Sequence, residues 1–247
     1  MINSNTMQNS SMGKLIEDIN LRDKIYVFED RSEAGKRLSD LLLKYKDKKV
    51  IVLAIPAGGV PVGYEIAKAL MVSLDLIIVK KIPFPDNPEA GFGAVGPDEE
   101  VLFNEMLLSR LGLTKQEINK QVERVKKQVR ERNQNFREGK PFPNLNNKDV
   151  IIVDDGLASG YTMYEAVKFV KRKGAGKVIV AVPTAPEKTI QGLLPAVDEL
   201  YCLNVRSTPF FAVADAYKNW YDVSDEEVIL ILNKIKEEIK NYESINN

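Results

Sequence analysis

The chain has no histidine and only one cysteine, Cys202, among its 247 residues. A Ser-His-Asp triad, a Cys-His pair, a His-ligated zinc and a haem with a proximal histidine are therefore excluded. One cysteine closes no internal disulfide, which fits a reducing cytosol. Its place in the apolar run Leu200-Tyr201-Cys202-Leu203 marks a packing thiol rather than a reactive one. No apolar run approaches the roughly 20 residues of a membrane span, and residues 1–20 lack the apolar stretch of a secretion signal. Charge of one sign is also missing: Lys plus Arg number 35 and Asp plus Glu 35, which offers no overall attraction to nucleic acid. The expectation is a cytoplasmic protein with neither a nucleic-acid nor a membrane partner. Any metal must be a hard cation held by oxygen, and magnesium is the first candidate.

What is present is alternation. Asp30-Arg31-Ser32-Glu33 has capping-box chemistry and opens a helix to about Tyr45. Val50 to Ile55 is an uninterrupted apolar run stopped by Pro56, the mark of a strand buried on both faces. A helix from about Pro61 to Met71 and a strand from Leu74 to Val79 follow. Further strands are expected at Val150–Val153, Val178–Val182 and Glu199–Val205, with a helix from about Thr162 to Lys173 between the first two. Ser224-Asp225-Glu226-Glu227 caps a last amphipathic helix to about Lys240. Strands alternating with helices of this length define an α/β protein with a doubly wound, mainly parallel sheet. Residues 1–20, rich in Asn and Ser, read as a disordered extension, and residues 21–247 as one domain.

Two segments interrupt the pattern. Pro83 to Pro97 holds four prolines and three glycines in fifteen residues and reads as a long functional loop. A helix capped at Thr114 runs to about Phe136 with one apolar stripe (Ile118, Val122, Val125, Val129). Its other faces carry Lys120, Arg124, Lys126, Lys127, Arg130 and Arg132, as expected of a solvated outer helix or one that packs on a second subunit.

Two phosphate motifs fail on context. Gly91 to Gly96 spells G-x-G-x-x-G, but a proline-rich stretch precedes it and no helix follows, so a dinucleotide site is rejected. Gly156 and Gly160 are too close for a P-loop, and Tyr161 stands where the lysine belongs. The informative stretch is VIIVDDGLASGYT, residues 150–162. A buried strand ends in Asp154 and Asp155, and a small-residue loop then turns into a helix. In a parallel sheet ligands bind beyond the carboxyl ends of strands. The loop Ala158, Ser159, Gly160, Tyr161 and Thr162 aims backbone amides and a helix N-terminus at one point, which suits a phosphate dianion. Asp154 and Asp155 accept from vicinal sugar hydroxyls or hold hydrated magnesium. The two features lie about one sugar apart, which points to a ribose 5-phosphate site. An Asp-Gly turn with a Ser/Thr helix cap is the plain alternative, and it leaves the tandem carboxylates without a purpose.

This stretch resembles the phosphoribosyl-diphosphate (PRPP) motif of the type I phosphoribosyltransferases, and the resemblance extends over roughly Phe28 to Val228. It implies that Pro56-Ala57-Gly58-Gly59 is the diphosphate loop, contacting through backbone amides beside a non-proline cis peptide. It implies a hood over the reacting sugar at about 81–100, with the extra helix at about 114–138 as an insertion. Lys80 and Lys81, at the strand end before the hood, would meet diphosphate oxygens. The implied reaction displaces diphosphate from C1 of PRPP with a nitrogen nucleophile, with Mg2+ as cofactor, Asp154 and Asp155 as its water-mediated ligands and as holders of the 2- and 3-hydroxyls, and a homodimer as the assembly. Ala158 replaces the aspartate of the 6-oxopurine branch, which argues against hypoxanthine or guanine. Ala57 replaces a basic residue common in relatives, which leaves the diphosphate to backbone amides. Phe210, Phe211 and Val213, followed by Tyr217, Trp220 and Tyr221, loosely resemble the segment that stacks on the base; an aromatic core under the last helix is an equal reading. A non-catalytic PRPP or nucleotide sensor is the alternative to the enzyme, and a phosphate-binding hydrolase lacks an identifiable nucleophile and base.

Overall fold

The computed structural model describes residues 12–85, 87–110, 112–137 and 139–246. In chain order the elements are β1 (Lys14–Glu17), α1 (Arg31–Leu42), β2 (Val50–Ala54), α2 (Gly59–Leu70), β3 (Leu74–Leu76), β4 (Lys80–Phe84), β5 (Asn87–Val95), β6 (Val101–Phe103), α3 (Glu105–Leu108), α4 (Lys115–Arg137), β7 (Asp149–Val153), α5 (Tyr161–Arg172), β8 (Val178–Pro186), α6 (Glu187–Leu193), β9 (Glu199–Arg206) and α7 (Asp225–Asn246). Six strands form one sheet in the order β1-β9-β8-β7-β2-β3, each neighbouring pair parallel. The expected α/β class is what the chain adopts.

The central strands are apolar throughout because helices cover both faces. Val52, Ala54, Ile151 and Val153 pack with Ala34, Leu38, Val62 and Ile66 of α1 and α2. Ile51, Leu53, Val150 and Ile152 pack in the opposite layer with Met163, Val167 and Val170 of α5 and Ile190 of α6. From β2 the chain moves outward to β3; from β7 it moves the other way, through β8 to β9. The order therefore reverses between β2 and β7, and the crevice beyond their carboxyl ends is where such sheets bind ligands.

Two expectations need correction. Residues 1–20 are not wholly an extension: Lys14–Glu17 is the edge strand, in register with Glu199 to Cys202 of β9, and the Gly13 amide donates to the Leu194 carbonyl at 3.1 Å. Four residues are too short for an alternation to be read, and it is the open edge of β9 that orders them. Residues 1–11 lie outside the described residues. The Pro83–Pro97 stretch is no loop either. With β4 and β6 it builds a three-stranded antiparallel sheet, β4-β5-β6. Pro83 sits at a register shift, where a missing donor is tolerated. Gly91 and Gly93 are glycine because a Cβ would collide with Lys81 and with the Leu102 carbonyl.

Helix α4 lays Val122, Val125 and Val129 against this second sheet and the core. Several of its cations are spent on its own domain: Arg130 on Glu99 at 2.5 Å, Arg132 on Asp225 at 2.8 Å and Arg137 on Asp75 at 3.0 Å. No helix among the described residues is long and apolar enough to cross a membrane.

Candidate functional site

Two loops meet at the crevice. After β2 comes Pro56–Gly59, whose Pro56–Ala57 peptide is cis. After β7 come Asp154 and Asp155, and after them the loop into α5. A Cβ on Gly58 would collide with the Asp155 carboxylate, and one on Gly59 would lie 2.9 Å from the Asp154 Cα. Only glycine lets the two loops approach this closely.

At the start of α5, Gly160 is left-handed (φ 80°), where a side chain would be strained. The first helical bond is the Tyr164 amide donating to the Gly160 carbonyl at 2.8 Å. The amides of Tyr161, Thr162 and Met163 precede it and are left for another acceptor, the arrangement that holds a phosphate. From α6 the Thr189 hydroxyl donates to the Ala158 carbonyl at 2.7 Å and steadies the loop.

A cavity of about 430 Å³ opens here, lined by Lys81, Phe84, Gly91 and Leu107 on the hood side, by Asp154 and the loop from Gly156 to Gly160 with Thr162 below, and by Val213. The structure thus brings together Asp154, Ala158, Ser159, Gly160, Thr162, Lys81 and Val213 among the expected residues, with Gly58 and Gly59 adjoining. The Tyr161 amide belongs to the same phosphate loop, while its side chain lines a neighbouring cavity with Tyr164 and Lys188. Several of the others lie elsewhere. Lys80 points to the far side of the hood sheet, beside Arg132 and Asp225. Phe210 is 89% exposed, and neither it nor Phe211 lines the cavity. Tyr217, Trp220 and Tyr221 gather around Arg31 instead.

Asp155 departs furthest from expectation. Its carboxylate accepts from Arg31 Nε at 2.9 Å, with the Arg31 side chain 5% exposed and that of Asp155 14%. Arg31 also donates to the Tyr221 carbonyl at 2.8 Å, and its guanidinium lies 3.9 Å from the Trp220 ring centroid. The Tyr217 hydroxyl donates to the Asp155 carbonyl at 2.5 Å, and the Asp155 amide donates to Asp154 Oδ1 at 2.9 Å. Burial and the neighbouring Asp155 push Asp154 well above the usual carboxylate range. Burial also raises Asp155, while Arg31 pulls it back down. Asp154 is therefore the carboxylate that faces the cavity, and Asp155 is anchored.

Arg31 and Thr189 were not legible as site residues, although the period of β7 pointed to the α1 layer, and Tyr217, expected near the base, bonds the Asp155 carbonyl instead. Ile151 and Val153 face the α1 layer, so Asp155, two residues further, continues toward α1. Cys202 is as expected: fully buried, its thiol pushed up by burial.

Residues 31–192 match the family described as phosphoribosyl transferase domain. The chain belongs to this family. A Mycobacterium tuberculosis protein that carries a phosphoribosyl transferase name is 35% identical over 210 residues, 84% of this chain and 47% of its own length. The chain thus spans about half of that relative. TT1426 from Thermus thermophilus has 33% identity and a TM-score of 0.69, with coverage of 84% of this chain and 98% of that one. A ribose-phosphate pyrophosphokinase of Pyrococcus furiosus is 42% identical over 64 residues, 25% of this chain and 23% of its own.

Proposed function

We propose that the chain transfers ribose 5-phosphate from PRPP to a nitrogen of a nucleobase-like acceptor, releasing diphosphate. The observation that carries this is that the phosphate loop and Asp154 line one cavity at the reversal point of the sheet, with the Pro56–Gly59 loop packed against the acidic strand end beside it. The 5-phosphate rests on the amides ahead of Tyr164. Asp154 accepts from a ribose hydroxyl, and Arg31 holds Asp155 so that the strand end keeps its shape. The C1–oxygen bond breaks with its electron pair leaving on diphosphate, the C1–nitrogen bond forms, and the nitrogen's proton passes to solvent. Positive character builds on the ring as in glycoside cleavage, with the Asp154 carboxylate nearby to offset it. Lys81 and the Gly58–Gly59 backbone face the diphosphate.

Magnesium fits this donor set. Asp154 lines the cavity, and magnesium is ordinarily held by one or two carboxylates, water and substrate phosphates. Asp154, through water, is the residue to hold it, and the ion would neutralise the leaving diphosphate. Phe84 on β4 and Leu107 on α3 reach the cavity, where they exclude water that would hydrolyse the sugar. A cytoplasmic homodimer is the assembly this reading expects, with the edge strand Lys14–Glu17 included in the domain.

Calorimetric titration with PRPP, with and without magnesium, tests the site; release of diphosphate on adding candidate bases tests the chemistry. Magnesium-dependent binding with base-dependent release supports the transferase. Binding with no release for any base moves the assignment to a PRPP-binding regulator, and no binding overturns both.

A further inference from the structure

The two adjacent lysines that precede the hood do not share a site. Successive side chains of a strand point to opposite faces; Lys81 lines the cavity above the phosphate loop, whereas Lys80 lines a groove of about 440 Å³ on the other side, with Gln128, Glu131, Arg132 and Asn135 of α4 and Asp225 at the start of α7. On α4, positions 124, 128 and 132 are four apart and form one stripe along the helix, so Arg124 flanks the same groove.

The charges of this groove do not balance. Asp225 is taken by Arg132 at 2.8 Å and Glu131 is matched by Lys127 at 3.7 Å. Lys80 and Arg124 remain, with no ion pair or hydrogen bond to another described residue. Gln128 and Asn135 add amide donors, and the Nε of Arg132 has no acceptor among the described residues. Burial and the Arg132 and Arg124 guanidiniums push Lys80 below the usual lysine range, against the pull of Asp225. A half-buried cation beside two further cations is a costly arrangement that a bound anion relieves.

We propose that Lys80, Arg124, Gln128 and Arg132 form a second anion site, on the outer face of the hood sheet, that takes the phosphate group of a small molecule. It uses neither the phosphate loop nor the acidic pair, so it stands or falls independently of the transferase reading. The basic face of the inserted helix thereby has a purpose that needs no nucleic acid.

The test is titration of the full chain, labelled with 15N, with inorganic phosphate, following two sets of amides separately: Lys80, Gln128 and Arg132 at the groove, and Gly160 and Thr162 at the loop. Two sets saturating with different dissociation constants are expected. Lys80→Gln and, independently, Arg132→Gln should each weaken binding at the groove set by roughly tenfold, the loss of one charge-assisted contact, and leave the loop set unmoved. If Lys80→Gln disturbs the fold, Arg124→Gln, at an exposed position of α4, and Arg132→Gln decide the matter alone. A groove set silent to tens of millimolar phosphate while the loop set responds overturns the site. So does a groove set unaffected by the substitutions. A single-stranded RNA oligonucleotide that displaces phosphate from the groove with a salt dependence of several charges overturns the small-molecule assignment in favour of a polynucleotide.

Discussion

Replacing Arg31 by methionine keeps the unbranched stem of the side chain out to the position of Nε and removes the only cation hydrogen-bonded to Asp155 among the described residues. Removing one partner of a buried pair generally costs about 3–5 kcal/mol, because the other charge is left uncompensated. Asp155 keeps 14% of its side-chain exposure, which places the expected cost near the low end. The lost guanidinium contact with Trp220, 3.9 Å from the ring centroid, adds about 1 kcal/mol. The sum is about 4 kcal/mol, which for a chain of this size corresponds to a fall of roughly 8–16 °C in melting temperature. Asp155→Asn alone strands a guanidinium that cannot lose its proton, and should cost about 3 kcal/mol. The double variant has no stranded charge, so it should be less destabilised than the sum of the two singles by about 2–3 kcal/mol.

Urea unfolding of the four proteins at pH 7 measures this coupling. A pH series supplies a second reading. Without Arg31, the influence that lowers Asp155 is gone while burial still raises it. A carboxylate raised in the folded state contributes stability below its unfolded value and loses it as pH rises through the folded value. The deficit of Arg31→Met should therefore be largest at neutral pH and shrink toward pH 4. Additivity of the two single variants within about 0.5 kcal/mol, or a deficit that does not change with pH, would refute the anchoring of Asp155.

Asp154→Asn should raise stability by about 0.5–2 kcal/mol at pH 8, since it removes a half-buried carboxylate whose proton affinity is raised; the gain should vanish near pH 4, and turnover with PRPP should fall by about two orders of magnitude or more. Gly58→Ala puts a Cβ into the Asp155 carboxylate and should cost about 1–3 kcal/mol, checked by thermal melting, together with affinity for diphosphate, checked by calorimetry. Thr189→Val removes the bond to the Ala158 carbonyl and should weaken ribose 5-phosphate binding by roughly fivefold, about 1 kcal/mol. Cys202 should resist a disulfide reagent in the native state and react fully in urea, because its thiol is buried and pushed up.

What was legible in the chain follows from how local each signal is. The strands β2 and β7 announce themselves because burial on both faces demands unbroken apolar runs, and the phosphate loop because small residues between a strand and a helix have few other uses. The hood misled because Pro and Gly in quantity ordinarily mean a loop; here glycine meets the close approach of neighbouring strands and Pro83 sits at a register shift. Arg31 was hidden by distance: it stands 124 residues before its partner, one position after a helix cap, where an arginine ordinarily faces water.

A single rule of geometry accounts for two of the functional assignments that changed. Lys80 and Lys81 on one side, and Asp154 and Asp155 on the other, read as pairs because they are adjacent in sequence. Extended backbone separates neighbours onto opposite faces, so an adjacent pair at a strand end serves two surfaces. Lys81 turns to the reaction cavity and Lys80 to α4. Asp154 turns to that cavity, and Asp155 follows Val153 toward α1, where Arg31 waits. The carboxylate and lysine that face the substrate are thus each backed by a neighbour that engages the scaffold, and substitution of the backing residue should act on the site through position rather than through contact.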